Sequence, residues 1–218
     1  SVTGVQTCAL PISYIDGFNF YFRRLRNKPY RWLNLVALMD SLFPDDEVVK
    51  VKYFTARVSG KFDQKKPDRQ DLYLRALKTI PRLEIIEGQY FTKPASRRLL
   101  APHTNSAGEL VAFAQIWNSD EKGSDVNLGS HLLNDAWEDA YDIAAVLTND
   151  SDLAVPMQMS AKRGKLITLL HPDNNISRSL MRSANRAMHI HDKSLLAAQL
   201  PTVVVTLRGD TIRKPDSF

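Results

Sequence analysis

Residues 142–148 read DIAAVLT, and this run restricts the fold more than any other feature of the chain. It is apolar without alternation and too short for a buried helix. A strand of that kind needs cover on both faces, which is the situation inside a parallel sheet. Residues 48–55 (VVKVKYFT) and 165–170 give further strands, and the stub at Tyr14-Ile15 gives the start of another. Between them lie stretches with helical spacing. Residues 32–43 place Leu35, Leu38, Met39 and Leu42 on one face, and residues 69–80 do so with Leu72, Ala76 and Leu77. Residues 18–26, 125–137, 151–162 and 177–187 are also predicted helical. Strands alternating with helices predict an α/β fold of three layers, Rossmann-like, with a mostly parallel central sheet.

Short strands are expected at 83–87 and 89–92 around Gly88, and at 110–117. Residues 61–69 read as a charged loop. Residues 94–108 hold Pro, Ser, Asn and the pair Arg97-Arg98, and read as a surface loop. From Pro201 onward the signals are mixed, as in an appendage.

Residues 1–12, SVTGVQTCALPI, carry no charge and no amphipathic period. They lack the basic start of a signal peptide. They resemble a translated sequencing-library adapter, so the expected organisation is a non-native 1–12, a domain at 13–198 and a tail at 199–218. Cys8, the single cysteine, lies in that first segment. A disulfide framework is thereby excluded, and a reducing, cytoplasmic setting is expected. No apolar run approaches the ~20 residues of a membrane span. The net charge of +5 favours polyanionic partners without specifying one.

In open parallel sheets ligands bind beyond the carboxyl ends of the strands. Asp16 ends the first strand, Asp150 and Asp152 follow the strand at 142–148, and Asp125 opens a helix after Lys122-Gly123-Ser124. Each acid alone reads as a helix cap or turn residue. Together they would crowd like charges that a hard dication relieves. HxxH, CxxC and HExxH patterns are absent, which argues against zinc. The first turn has neither Asp-x-Asp, as a haloacid dehalogenase-type phosphatase requires, nor the Gly-x-Gly-x-x-Gly of a dinucleotide site.

Three segments in order, Tyr14-Ile15-Asp16-Gly17-Phe18-Asn19, Glu121-Lys122-Gly123-Ser124-Asp125-Val126 and Thr148-Asn149-Asp150-Ser151-Asp152-Leu153, resemble the NYN domain family of the PIN-like nuclease superfamily. The tail around Gln199-Leu200-Pro201 is similar to that of a bacterial subgroup. The resemblance implies a PIN-type domain and a Mg²⁺- or Mn²⁺-dependent endoribonuclease that hydrolyses RNA phosphodiesters. It also implies that Asp16, Asp125, Asp150 and Asp152 are catalytic, metal-binding acids. Asn19, Lys122 and Ser151 would contact substrate or orient the acids. Basic residues flank this edge: Arg23, Arg24 and Arg26, with Lys61, Lys65, Lys66, Arg69, Arg97 and Arg98, read either as solvated faces or as a phosphate track. Phe20, Tyr21, Phe22 and Trp32 read as core residues before base-stacking ones. His131, His171, His189 and His191 show no ligand spacing. The competing expectation is a PIN-like module that binds RNA or protein without cleaving. A homo-oligomer is compatible with either.

Overall fold

The computed structural model describes residues 9–61, 63–206, 208–216 and 218. Its centre is a seven-stranded sheet in the order β4-β3-β2-β1-β5-β6-β7. β1 (Pro11–Asp16) pairs in parallel with β2 (Lys50–Ala56) on one side and β5 (Ile143–Leu147) on the other. β6 (Leu166–His171) and β7 (Arg186–His189) continue in parallel beyond β5. β3 (Leu83–Thr104) starts in parallel with β2, then turns back through an antiparallel pairing with β4 (Leu110–Lys122). The mixed α/β, mostly parallel, Rossmann-like architecture expected from the alternation of elements is therefore present. A small hairpin of β8 (Val203–Val205) and β9 (Thr211–Arg213) follows the sheet.

Two cores lie on opposite faces because side chains alternate along each strand. One face buries Ile15, Val51 and Leu147 beneath α1 (Gly17–Phe20, continued by a π-helical turn at Tyr21–Leu25), α2 (Leu35–Leu42), α3 (Lys65–Leu77) and α7 (Asp192–Ala197). The other buries Tyr14, Phe54 and Val146 beneath α4 (Ser124–Trp137), α5 (Ala154–Lys162) and α6 (Arg178–Ser183). Val204 and Ile212 of the terminal hairpin are buried in the first core. The tail is thus packed onto the domain and covers part of it.

Several boundaries differ from the sequence-based expectation. Pro11 and Ile12 were assigned to the foreign segment, yet they pair with β5, and Ile12 with β2 as well, and both are buried. Residues 1–8, with Cys8, lie outside the described residues. The charged stretch at 61–69 is helical from Lys65 onward. Residues 94–108, expected as a loop, mostly belong to the β3–β4 hairpin arm. The helix expected at 177–187 stops at Ser183. Asn185 takes the chain back to the sheet by exchanging two hydrogen bonds with the Ile167 backbone, one of them through its side-chain oxygen. Among the described residues, no helix is long and apolar enough to cross a membrane.

Candidate functional site

The carboxyl ends of β1 and β5 lie side by side, so the turns leaving them share one edge. Asp16 stands at the end of β1, only 4% exposed. Its Oδ1 caps α1 by accepting from the Asn19 backbone N–H (2.9 Å), and its Oδ2 accepts from the Thr148 hydroxyl (2.9 Å). Thr148 Oγ1 in turn accepts from the Asp150 backbone N–H (3.0 Å). Asn19 Oδ1 accepts from the Asn149 backbone N–H (3.1 Å). Asn149 spans on to the next loop, donating to the Asn175 carbonyl and accepting from the Ser177 backbone N–H. One polar network therefore fixes the first turn to the turn after β5.

Charge accumulates around this network. Burial pushes the Asp16 carboxyl up to about 7, against the stabilising hydrogen bonds from Asn19 and Thr148, and the charges of Asp125 and Asp150 push the same way. Asp125, in the first turn of α4, is half-buried and raised to about 6 by burial and then by Asp150, Glu121 and Asp152. Asp150 accepts from the Asp152 backbone N–H (3.1 Å) and caps the short 3₁₀ turn Ser151–Leu153. The four acids named from the sequence are thus electrostatic neighbours, and Asp16 and Asp150 are also helix caps. Among the described residues, no group of three or more His, Cys, Asp or Glu side chains is placed to hold a metal ion.

The residues expected to meet phosphate are engaged differently. Arg23 pairs with Asp173 (3.0 Å), and Arg24 with Asp192 and the Ile190 carbonyl. Asn19 is held by Asn149. Ser151 and Lys122 are exposed, Lys122 at the base of the arm. Arg69 pairs with Asp63, and the Lys61 ammonium sits 2.9 Å from the centroid of the Trp117 ring. Phe20 and Trp32 are core residues, as expected, while Phe22 is exposed. His171, His189 and His191 lie in series, the first pair tilted and the second edge-on, with ring centroids 4.9 and 5.0 Å apart.

A cavity that no sequence motif announces lies beside this edge. Gly17, Phe18, Tyr21, Phe22 and Leu25 form one wall of it. Tyr53 and Thr55 of β2, Gln70 and Tyr73 of α3, and Phe218 close the other sides, with Arg31, Lys66 and Arg69 among the lining residues. Gly17 admits β2 closely, since a Cβ there would stand 2.6 Å from the Phe54 carbonyl oxygen. Tyr53 is buried and its phenol is raised to about 12, mainly by burial, with the Asp16 charge adding to the shift. The i, i+3, i+4, i+7 spacing of Phe18, Tyr21, Phe22 and Leu25 was the available signal. It marks a helix face, which core packing explains equally well.

The fold and this edge define a Rossmann-like α/β protein with an acidic carboxyl edge and a neighbouring aromatic cavity. No model of a known protein family matches the chain. The 6-hydroxy-3-succinoylpyridine 3-monooxygenase HspA of Pseudomonas putida is 31% identical over 232 aligned positions, covering 94% of this chain and 74% of that protein. The chain belongs to the family of that monooxygenase. A Vibrio parahaemolyticus protein of unknown function shares the fold in its crystal structure, with a TM-score of 0.52 and 17% identity over 86% of this chain and 96% of that one.

This kinship corrects the functional expectation. A monooxygenase puts oxygen into its substrate, whereas a metal-dependent endoribonuclease hydrolyses a phosphodiester. The expected ribonuclease activity is overturned, and with it the Mg²⁺ or Mn²⁺ cofactor and the hydrolase class. The error has a physical origin. An acidic cluster at a sheet edge was read as a demand for a dication, but burial and partial protonation can relieve the same repulsion.

Proposed function

We propose that this protein is a monooxygenase acting on a small hydroxylated aromatic ring bound in the cavity between α1, β2 and α3. The observation that carries this reading is the placing of an aromatic-walled cavity one residue from Asp16, in a chain related to a monooxygenase of a hydroxypyridine. Phe18, Tyr21, Tyr53 and Tyr73 offer flat faces for a ring. Arg31, Lys66 and Arg69, the last also paired with Asp63, put positive charge on the cavity lining, which favours a negatively charged substituent such as the carboxylate of a succinoyl chain.

In each turnover one atom of O₂ replaces a ring hydrogen to give a hydroxyl and the other leaves as water, with two electrons and a proton from a reductant such as a reduced nicotinamide or flavin and a second proton from solvent. The pyrophosphate of a dinucleotide does not fit the carboxyl edge. Asp16, Asp125 and Asp150 stand where glycines and helix amides would hold phosphate. This chain's own contribution is binding and proton transfer. Ring hydroxyls become electron-rich when they lose a proton, which favours attack on oxygen. Asp16, raised to about 7, stands one residue behind the cavity wall, outside its lining, and is proposed to take that proton near neutral pH.

The order of the three acidic motifs supports a further reading of the scaffold as PIN-type, related in descent to NYN domains, with the chemistry changed. RNA as a partner rests on the NYN resemblance and on the basic residues, and takes no part in this reading.

The test is oxygen uptake by the purified protein given 6-hydroxy-3-succinoylpyridine and reduced nicotinamide, with and without added flavin. Uptake that depends on the aromatic compound, and that falls at least tenfold in Arg69→Met at low substrate but not at saturation, supports the proposal. Uptake no faster with the aromatic compound than without it, from folded protein under all these conditions, contradicts it.

A further inference from the structure

Beyond β5 the carboxyl edge of the sheet changes from acids to imidazoles. The parallel register of β6 and β7 sets His171 beside His189 at the ends of those strands, and their Nδ1 atoms stand 3.3 Å apart. His191 follows, its ring edge-on to His189 at 5.0 Å. His171 Nδ1 also lies 2.9 Å from the Asp173 carbonyl oxygen, which can only accept, so this nitrogen carries a proton. The contact with His189 therefore holds only while the facing nitrogen of His189 accepts. An imidazolium donates from both nitrogens, so the pair cannot keep this contact once both rings are charged. The other charged or titratable groups against His189 are Arg24 of the π-helical turn, and His191 and Asp192 at the start of α7. Burial holds the His189 imidazole below its usual pKa, the charges of His171, Arg24 and His191 act the same way, and Asp192 opposes them.

Each of these imidazole-bearing turns also carries the acceptor for one arginine of the π-helical turn Tyr21–Leu25. After His171, the Asp173 carboxylate accepts from Arg23 (3.0 Å). Between His189 and His191, the Ile190 carbonyl accepts from Arg24 (2.9 Å), and Asp192 accepts from Arg24 and from the Tyr30 hydroxyl. The Arg24 Nε is buried without a hydrogen-bond partner, so this tie is poorly compensated. The same turn gives Tyr21, Phe22 and Leu25 to the cavity wall, and single π-helical turns recur at functional sites. We propose that His171, His189 and His191 form an acid-sensitive latch on that wall. Protonation of both facing rings separates the turn after β6 from the turn after β7, displaces the acceptors of Arg23 and Arg24, and frees Tyr21–Leu25. Because His189 binds its proton more weakly in the folded chain, stability falls as pH drops below ~6.5. Asp16, whose folded pKa is raised, acts in the opposite sense. The latch does not rest on the oxygenase reading, because it is read from the wall itself.

Hydrogen exchange of the whole chain at about pH 7.5 and pH 5, corrected for intrinsic rates, tests the latch. The amides of residues 21–26 should lose protection at least tenfold at the lower pH, while β1 and β5 keep theirs. His189→Gln keeps a polar side chain without the charge and should hold the wall at both pH values. Arg24→Gln should free the wall already at the higher pH and show little further response. Asp16→Asn should respond as wild type does, which separates the latch from the cap of α1. Imidazole NMR should show His171 and His189 taking protons in two separate steps, as coupled groups do. Protection of residues 21–26 that is unchanged at pH 5 overturns the proposal, as does a loss that His189→Gln shares or that spreads to β1 and β5.

Discussion

Asp16 caps a helix, accepts the Thr148 hydroxyl and stands among like charges, all while buried. Its pKa of about 7 against an ordinary 3.8 means the native state holds a proton that the unfolded chain has lost between those values. Stability from this group is therefore complete below about pH 4 and is lost as pH rises through about 7. Asp16→Asn removes the dependence while keeping the cap acceptor. We expect the variant to melt several degrees above wild type at pH 8 and close to it at pH 4, as read by calorimetry. A gain that is equal at both pH values would contradict the assignment. With Asp16 as the proposed base, oxygenation should rise with pH through about 7 in wild type and lose that limb in the variant. Asp16, Asp125, Asp150 and Asp152 were legible in the sequence because each follows or precedes an element boundary. What they do was not, since a boundary carboxylate caps, binds or titrates with the same spacing.

At the scale of elements, α4 is tied to the sheet by a buried charge. Lys52 Nζ of β2 and the Tyr14 hydroxyl both donate to Asp135 Oδ2 at 2.6 Å, and Lys52 also lies 3.3 Å from His131 Nδ1. Removing one partner strands the other in the core. Lys52→Met should cost about 3 kcal/mol or more, while Lys52→Met/Asp135→Leu should cost clearly less. Chemical denaturation of the two variants decides this, and equal losses would count against a paired-charge tie. Gly88 is the hinge between the sheet and the arm. A Cβ there would stand 2.8 Å from the Lys122 carbonyl oxygen, so Gly88→Val should loosen the arm and leave β1, β2 and β5 intact. Hydrogen exchange would show this as lost protection confined to residues 89–122. The buried strands were readable because their apolar runs have one explanation. The arm was readable only in part, as strands at 89–92 and 110–117; its middle, 94–104, was not, because a ribbon exposed on both faces has no inside and outside to alternate, and its prolines and arginines mimic a loop. Nor was β7, where the side chain of Asn185, not hydrophobic periodicity, ends the helix and returns the chain to the sheet.

In the whole molecule, the parallel sheet brings Asp16 and Asp150 to one edge, and the α1 turn connects that edge to the aromatic cavity. Kinship with a hydroxypyridine monooxygenase supports the function proposed for this arrangement, which neither charge nor fold supplied. The layered architecture followed from alternating strands and helices, whereas a cavity formed by four separate segments and Phe218 has no local signature. The most direct test of the account is the source of the oxygen in the product. With 6-hydroxy-3-succinoylpyridine, a reductant and ¹⁸O₂, mass spectrometry should find one labelled atom in the aromatic product of wild type, and at least tenfold less product from Asp16→Asn near neutral pH. Label acquired from H₂¹⁸O in place of ¹⁸O₂ would mean hydrolysis and would contradict the account.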